Sequence, residues 1–304
     1  KSETVYEVDQ MLTHVMFALD KARETHQNNV WFFDSKLHEK ELMNNYVDSH
    51  MYQALEDKEF RLFLQPQIDL ATGKVCGAEA LVRWIKKDGK IIYPDQFIPL
   101  FEENGFCKFL DIYIVDRVFS FIRGWINRGY EPVPVSVNQS KTVIFEHNFT
   151  RKLYTIVISW GISPELITLE ILEGMALKNP NDLNRKISML KEKGFRIAMD
   201  DFGSGYSSLN TLGQIQIDEL KLDRGFLRDV AADKNKKSWI IMEQITEMAK
   251  KLHIKTVVEG VETGENDRMI RELGCDCGQG YYYGKPVSAE EFTEKYIIGG
   301  HELN

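Results

Sequence analysis

Two adjacent carboxylates, Asp200 and Asp201, follow the mostly apolar, strand-like run of residues 195–199. Like charges side by side at the mouth of a buried strand repel each other, and such a pair persists where a cation compensates it. The next residues, Gly203 to Gly205, are small and predict a loop beside the carboxylates. The pair therefore predicts a site for divalent metal ions.

Polar residues also stand near the ends of other apolar runs. Taken singly, each has an ordinary explanation, since a lone Glu is usually solvated or salt-bridged, a lone Asn caps a turn and a lone Lys lies at the surface. Five such residues in one set of strands are improbable as coincidence. Oxygen ligands without His or Cys favour Mg²⁺ or Mn²⁺ over zinc. The residues are Glu79, Asn138, Glu170, Lys221 and Glu259.

Short apolar runs alternate with helical patterns from about residue 58 onward, which predicts a parallel α/β fold. Eight strands fit a TIM-like (β/α)8 barrel, whose catalytic side chains lie at the carboxyl ends of the strands. The first two strands are joined only by residues 69–73, a hairpin-length turn, so we expect one antiparallel pair and a modified barrel. We predict strands at 61–67, 74–84, 133–138, 166–172, 196–200, 219–223, 255–259 and 280–283, with helices that include 110–126, 182–193 and 238–253.

The first fifty residues have a different pattern. Val8, Leu12, Val15, Met16 and Leu19 follow helical spacing, residues 30–33 predict a short strand, and a second polar, helix-prone stretch leads into the barrel. One helix and one strand cannot bury both of their faces. We therefore expect this beginning to be the tail of another domain or a linker, in a chain that is part of a longer protein.

The composition excludes several classes of partner. The chain of 304 residues has 38 basic and 46 acidic residues, a net charge of -8, which argues against binding nucleic acid polymers or an anionic membrane surface. No apolar run reaches the length of about 20 residues that crosses a bilayer, and no signal peptide is visible. The four cysteines have a poor zinc spacing, so we expect reduced thiols and a cytoplasmic location.

Read in order, the motifs around these residues resemble the EAL-domain cyclic di-GMP phosphodiesterases, over about residues 52–296. The first 34 residues resemble the last helix and strand of a GGDEF domain, the diguanylate cyclase module, without its catalytic motif. The resemblance predicts a GGDEF-like remnant and linker helix at 1–50 and an EAL-type barrel at 51–304. The motifs are ExLxR (Glu79, Leu81, Arg83), SVN (ending at Asn138), LExxE (Glu170, Glu173), DDFGSGYSSL (from Asp200), KLD (Lys221), EGVET (from Glu259) and QGY (from Gln279).

The resemblance implies hydrolysis of cyclic di-GMP to linear 5′-pGpG with two divalent cations, Mg²⁺ or Mn²⁺. Lys221 would position or deprotonate the attacking water, and we expect it to position the water. Gln279 would lie near that water, and Glu173 would hold the loop after Asp201. Arg83 would contact phosphate and Gln65 a guanine, and a homodimer is expected. The implied metal ligands are Glu79, Asn138, Glu170 and Asp200 for one ion, and Asp200, Asp201 and Glu259 for the other.

Two alternatives stay open at this point. Some members of the family lose ligands and act as receptors of the nucleotide, but here the set of ligands is complete, which favours an active enzyme. The departures from the family pattern, at Gln139, Leu172 and Ser204, remove no ligand. The other alternative is a two-metal phosphodiesterase that acts on a different cyclic dinucleotide, because a metal site binds the phosphate rather than the base.

Overall fold

The computed structural model describes residues 8–24, 31–203, 209–232 and 237–299. Within them, ten strands form a single sheet. The strands are β1 (Phe60–Asp69), β2 (Val75–Ile85), β3 (Ile91–Ile92), β4 (Val135–Asn138), β5 (Ile167–Leu172), β6 (Arg196–Phe202), β7 (Glu219–Leu222), β8 (Lys255–Val258), β9 (Cys277–Gln279) and β10 (Val287–Ser288).

Helices precede the sheet, connect its strands and cover its outside. They are α1 (Val8–Glu24), α2 (Ser35–Glu56), α3 (Pro94–Asn104), α4 (Cys107–Asn127), α5 (Lys141–Ile144), α6 (Phe149–Trp160), α7 (Glu173–Lys178), α8 (Pro180–Lys191), α9 (Leu209–Gln214), α10 (Arg224–Ala232), α11 (Lys237–Lys251), α12 (Gly264–Glu272) and α13 (Ala289–Phe292). A short 3₁₀ turn, Pro164–Leu166, precedes β5, and a π-helical segment, Thr293–Ile298, follows α13.

Eight strands close into the predicted barrel. Strands β2 and β4 to β9 pair in parallel, and β1 lies antiparallel between β2 and β9 and completes the ring. The remaining two, β3 and β10, extend the sheet beside β2 and β1. The α/β barrel with one antiparallel strand is therefore confirmed.

The hairpin between β1 and β2 is set by a local turn. Asp69 Oδ1 accepts hydrogen bonds from the backbone nitrogen and the hydroxyl of Thr72, at 2.7 and 2.8 Å. Gly73 adopts a φ of +73°, in the left-handed region where glycine costs least. The turn fixes the register that places Gln65 of β1 opposite Glu79 of β2.

The core fills the barrel and the space between its strands and the outer helices. Strands β5 to β8 are buried on both faces, and their apolar runs, such as Ile167, Leu169 and Ile171, are fully buried. An aromatic cluster of Phe60, Trp84, Phe97, Phe101 and Phe106 packs α3 and the start of α4 against the hairpin. This packing fixes the position of the hairpin, which contributes Gln65 and Glu79 to the site.

Two predicted strands are wrong. Trp31 to Phe33 form no strand, because no described strand lies beside them to pair with, and the Phe33 ring instead stacks on His14 of α1 at 3.6 Å. Val30 lies outside the described residues. The last barrel strand is β9 rather than residues 280–283, which form a turn in which Gly284 N donates to Gly280 O at 3.0 Å.

Among the described residues, no helix combines the length and the apolar character that a membrane span requires.

Candidate active site

Lys221 of β7 lies at the centre of a cluster of acidic side chains. Its Nζ is within ion-pair distance of four carboxylates, and its side chain is only 1% exposed. Each partner comes from a different strand or strand end, because parallel strands bring their carboxyl ends to one edge of the barrel. The distances are 2.8 Å to Glu259, 3.0 Å to Glu170, 3.0 Å to Asp200 and 3.5 Å to Glu79.

Burial and mutual repulsion disturb the charges in this cluster. Burial alone would lower the pKa of Lys221, but the carboxylates of Glu170, Glu79, Glu259 and Asp200 together raise it well above its ordinary value. Burial raises the pKa of Glu170 well above its ordinary value. The carboxylates alone therefore hold Lys221 as an ammonium ion.

Burial also raises the pKa of Glu259, to about 7, with Lys221 opposing the rise and Asp200 adding to it. The pKa of Asp201 is raised by burial first and by the neighbouring Asp200 second. A site that makes its carboxylates this hard to ionise is one in which added positive charge is strongly favoured.

A chain of side-chain amides runs along one side of the cluster. Asn138 Nδ2 donates to Glu79 Oε1 at 3.1 Å, and Gln279 Nε2 donates to the other oxygen of Glu79. Gln279 Nε2 also donates to Gln65 Oε1 at 3.3 Å, and Gln67 Nε2 donates to Gln279 Oε1 at 3.0 Å. The amides of β4 and β9 fix the orientation of the Glu79 carboxylate, and the glutamines of β1 hold Gln279 in turn.

Asp200, Asp201 and Glu259 each offer one carboxylate oxygen, and these oxygens lie within 4.8 Å of one another. Asp201 has a φ of +57°, a left-handed conformation that Asp tolerates better than most residues and that is common at functional sites. The turn at Asp201 brings two consecutive carboxylates toward one point. Alternation along a regular strand would instead direct them to opposite faces.

The donor set fits divalent cations. Four carboxylates surround one lysine and a fifth, Asp201, lies beside them, so a single ammonium ion leaves a net negative charge in a largely buried space. Glu170 Oε2 is buried and has no hydrogen-bond partner among the described residues. Buried oxygens in excess of their donors, with no His or Cys nearby, are what hard cations such as Mg²⁺ and Mn²⁺ bind.

A cavity of about 360 Å³ opens beside the cluster. Glu79, Asp200, Asp201, Glu259 and Gln279 line it, as expected for residues at strand ends. Three further lining residues, Arg224, Glu262 and Tyr281, were not predicted from the sequence. Arg224 is the first residue of α10, two positions after the end of β7, and this place just past a strand end was the signal that could have identified it.

Two predicted residues, Arg83 and Glu173, have a different setting from the acidic cluster. Arg83 is on β2, where its Nη1 donates to Val82 O at 2.8 Å and its guanidinium lies 5.8 Å from the Phe63 ring centre. It does not line the cavity. Glu173 is 5% exposed and is the first residue of α7, directly after β5. Residues 204–208 of the loop that it would hold lie outside the described residues.

The connection after β8 is hydrogen bonded through its backbone to the end of β9 and the turn that follows it. Val261 N donates to Gln279 O at 3.1 Å, and Tyr282 N donates to Val261 O at 2.9 Å. A Cβ on Gly280 would overlap the backbone nitrogen and oxygen of Val261, so only glycine permits this approach. The contact fixes the position of Glu259 relative to Gln279.

Comparison with known proteins agrees with this architecture. The profile of the EAL domain family matches residues 49–286. The cyclic di-GMP phosphodiesterase NbdA of Pseudomonas aeruginosa is 32% identical over 291 residues, which are 95% of this chain and 37% of that protein. The probable cyclic di-GMP phosphodiesterase PdeB of Escherichia coli is 35% identical over 242 residues, 80% of this chain and 45% of that protein. The chain thus spans less than half of the length of these curated relatives.

The solved structure of the PaMucR phosphodiesterase in complex with c-di-GMP has a TM-score of 0.76 with this chain at 30% identity. The match covers 81% of this chain and 99% of that one. The family profile spans most of the chain and includes all eight barrel strands. The chain therefore belongs to the EAL domain family.

Proposed function

We propose that this protein hydrolyses cyclic di-GMP to linear 5′-pGpG with the help of two divalent cations. The observation that carries the proposal is the convergence of four carboxylates on one buried lysine at the carboxyl end of the barrel, with a fifth carboxylate, Asp201, beside them. The substrate class comes from the relatives, two of which are named as cyclic di-GMP phosphodiesterases, and from the neighbouring structure in complex with c-di-GMP.

We propose Mg²⁺ or Mn²⁺ as the cations. When bound, they would supply Lewis acidity toward the phosphate and make a water molecule acidic enough to attack at neutral pH. Asp200 would be a ligand of both ions. The other ligands of the first ion would be Glu79, Asn138 and Glu170. Those of the second ion would be Asp201 and Glu259.

The remaining residues of the site bind and orient. Lys221, an ammonium ion fixed by four carboxylates, would donate a hydrogen bond that positions the attacking water. Gln279 lies at the same edge through its contact with Glu79 and would hold that water from the other side. Arg224, beside the cavity, adds a cation that suits a phosphate oxygen. We assign Arg83 to phosphate, Gln65 to a guanine and Glu173 to the loop after Asp201.

The test is a hydrolysis assay with purified protein, cyclic di-GMP and either Mg²⁺ or Mn²⁺, with products separated by chromatography. We expect 5′-pGpG to accumulate, a chelator to stop the reaction, and Glu79→Ala and Asp200→Ala to abolish it. The matched control is Glu219→Gln, which changes a buried carboxylate two residues before Lys221 on the same strand. It should retain most of the activity.

The outcomes separate the alternatives. Binding of cyclic di-GMP without any linear product in either metal would show a receptor rather than an enzyme. Faster turnover of another cyclic dinucleotide would keep the reaction and change the substrate. A hydrolysis rate that a chelator leaves unchanged would overturn the metal-dependent mechanism.

The amino-terminal part has a separate proposed origin. We propose that residues 1–50 are a GGDEF-like remnant and linker, and that residues 51–304 are the phosphodiesterase unit. In support, α1 exposes an apolar stripe that would pack on another domain, formed by Val8, Leu12, Val15, Met16 and Leu19. We also propose a homodimer, for which light scattering should give about twice the mass of one chain.

A further inference from the structure

Two cysteines that are far apart in the sequence meet at the end of the barrel opposite the acidic cluster. Cys76 lies near the start of β2 and Cys277 is the first residue of β9, on either side of β1. Their sulfur atoms are 2.9 Å apart. Shortening this distance by less than 1 Å would reach the covalent separation of about 2.05 Å.

The two thiols have different surroundings. Cys76 is partly exposed, whereas Cys277 is fully buried. The Nζ of Lys255, the first residue of β8, donates to Cys76 Sγ at 3.8 Å. Cys76 also lies where the pairing of β1 with β2 shifts register between Gln67 and Ile68, an irregularity that lets a strand bend. The pair thus has one accessible sulfur and one buried sulfur, and the ammonium ion of Lys255 lies beside the accessible one.

We propose that Cys76 and Cys277 are an oxidative modification site, at which a hydroperoxide converts the two thiols to a disulfide. Cys76 is the attacking residue and Cys277 the resolving one. The proposal stands independently of the phosphodiesterase activity, since it concerns residues outside the acidic cluster and is tested without a nucleotide.

The chemistry balances with the peroxide as the oxidant. The Cys76 thiolate attacks one peroxide oxygen, the O–O bond breaks, and the departing hydroxide takes up a proton as water. The product is a sulfenic acid on Cys76, oxidised by two electrons. Cys277 loses its proton and attacks that sulfur, forming the S–S bond and releasing the second water. Two thiols and one hydrogen peroxide thus give one disulfide and two waters.

The local electrostatics favour this division of roles. The hydrogen bond between the two thiols lowers the pKa of Cys76, burial opposes the change, and Lys255 lowers the pKa further. The carboxylates of Asp69 and Glu219 act in the opposite direction on Cys76. The hydrogen bond to Cys76 and burial raise the pKa of Cys277. The thiolate is the nucleophile in such reactions, so Cys76 reacts first.

A disulfide here would connect two strands that carry residues of the acidic cluster. Cys76 lies three residues before Glu79 on β2, and Cys277 lies two residues before Gln279 on β9. These two residues already share a hydrogen bond. A covalent bond between their strands therefore sets the spacing of Glu79 and Gln279 from the opposite end of the barrel.

The experiment treats the reduced, metal-free protein with hydrogen peroxide and measures intact mass and mapped peptides. We expect a loss of two hydrogens per chain, a Cys76–Cys277 linked peptide, and full reversal by dithiothreitol. Cys277→Ser should stop at the sulfenic acid, detected as an adduct with dimedone on Cys76. Cys76→Ser should form no disulfide, and Lys255→Met should slow the reaction several-fold.

The matched controls are Cys107→Ser and Cys275→Ser, which change two other buried thiols. Both variants should form the disulfide at the wild-type rate. Circular dichroism establishes that each variant is folded before oxidation. A peroxide-treated wild-type chain that keeps both thiols free would overturn the proposal. Disulfides between chains, or dimedone adducts mainly on Cys107 or Cys275, would overturn it as well.

Discussion

At the scale of single residues, Lys221 is best understood as an internal counterion. Four carboxylates surround its Nζ within 3.5 Å, and nearly all of its surface is buried. Removing one partner from a buried ion pair is costly because the other charge is left without compensation. The carboxylates also fit metal ions, so the ammonium ion and the proposed metals would stabilise the same negative charge.

This shared role predicts an effect that depends on metal. Lys221→Met, which keeps the length of the side chain and removes its charge, should lower the free energy of unfolding by about 3–5 kcal/mol in the presence of a chelator. Saturating Mn²⁺ should recover much of that loss, because the cation replaces the missing positive charge. Urea unfolding with and without the metal measures both quantities.

Lys191→Met is the matched control. Its Nζ lies 2.6 Å from Asp218, but both side chains are about one third exposed, and a pair of this kind contributes about 1 kcal/mol or less. Its effect should be small and the same with or without the metal. If Lys221→Met were equally mild, or if its cost did not change with Mn²⁺, the counterion role would be refuted.

At the scale of elements, the site depends on how two adjacent connections are joined. The backbone of Val261, after β8, hydrogen bonds both to Gln279 and to Tyr282, after β9. Gly280 makes this possible, because any side chain there would overlap the Val261 backbone. Glu259 and Gln279 consequently move together rather than as two independent loops.

Gly280→Ala should therefore damage stability and catalysis together. We expect a loss of about 1–3 kcal/mol in the free energy of unfolding, since a methyl group is forced against the backbone of Val261. We also expect a clear drop in turnover from the displacement of Gln279. Gly213→Ala, on α9 with open space around its Cα, should be neutral or slightly stabilising. Wild-type stability and turnover in Gly280→Ala would show that the close approach of Gly280 to Val261 is unimportant.

The elements also show where the sequence is a good guide and where it fails. Strands β5 and β6 were predictable, because each is a short and largely apolar run, as expected of a parallel strand that is buried on both faces. Residues 280–283 resembled a strand because tyrosines favour strands, but a contact with a backbone distant in the sequence turned the chain there.

The site shows the same contrast. Its carboxylates were predictable from their places at strand ends, whereas Arg224 has the appearance of an ordinary surface residue. The Cys76–Cys277 contact joins positions 201 residues apart, and no local pattern reveals such a pair.

At the scale of the whole molecule, one buried carboxyl links α4 to the connection after β4 and makes stability depend on pH. Asp111 Oδ2 accepts from Ser140 N at 2.9 Å, and Oδ1 accepts from the Ser140 hydroxyl at 3.0 Å. Burial nevertheless raises its pKa to about 7. The unfolded chain has an ordinary Asp pKa of about 3.9. Between these two values the folded state binds the proton and the unfolded state does not.

The sign follows from that difference in bound protons. The Asp111 contribution to the free energy of unfolding is largest below about pH 4, falls by at most about 1.4 kcal/mol per pH unit, and levels off above about pH 7. Asp111→Asn removes the titration, so its unfolding free energy should fall less between pH 5 and 7 than that of the wild type. Urea unfolding of both proteins across this range gives the difference. Parallel pH profiles would refute the assignment.

The antiparallel strand β1 has a consequence for how the molecule forms. β1 closes the barrel by pairing with β9, through residues such as Gln67 and Gln279, which are 212 positions apart. The ribosome makes β1 before β9, so one edge of β1 stays unpaired until β9 has been synthesised. Joining such distant segments carries a loop-closure cost that slows folding. The amide chain from Gln65 through Gln279 to Glu79 therefore assembles only when the ring is complete, so a nascent chain lacks this part of the site until β9 has been made.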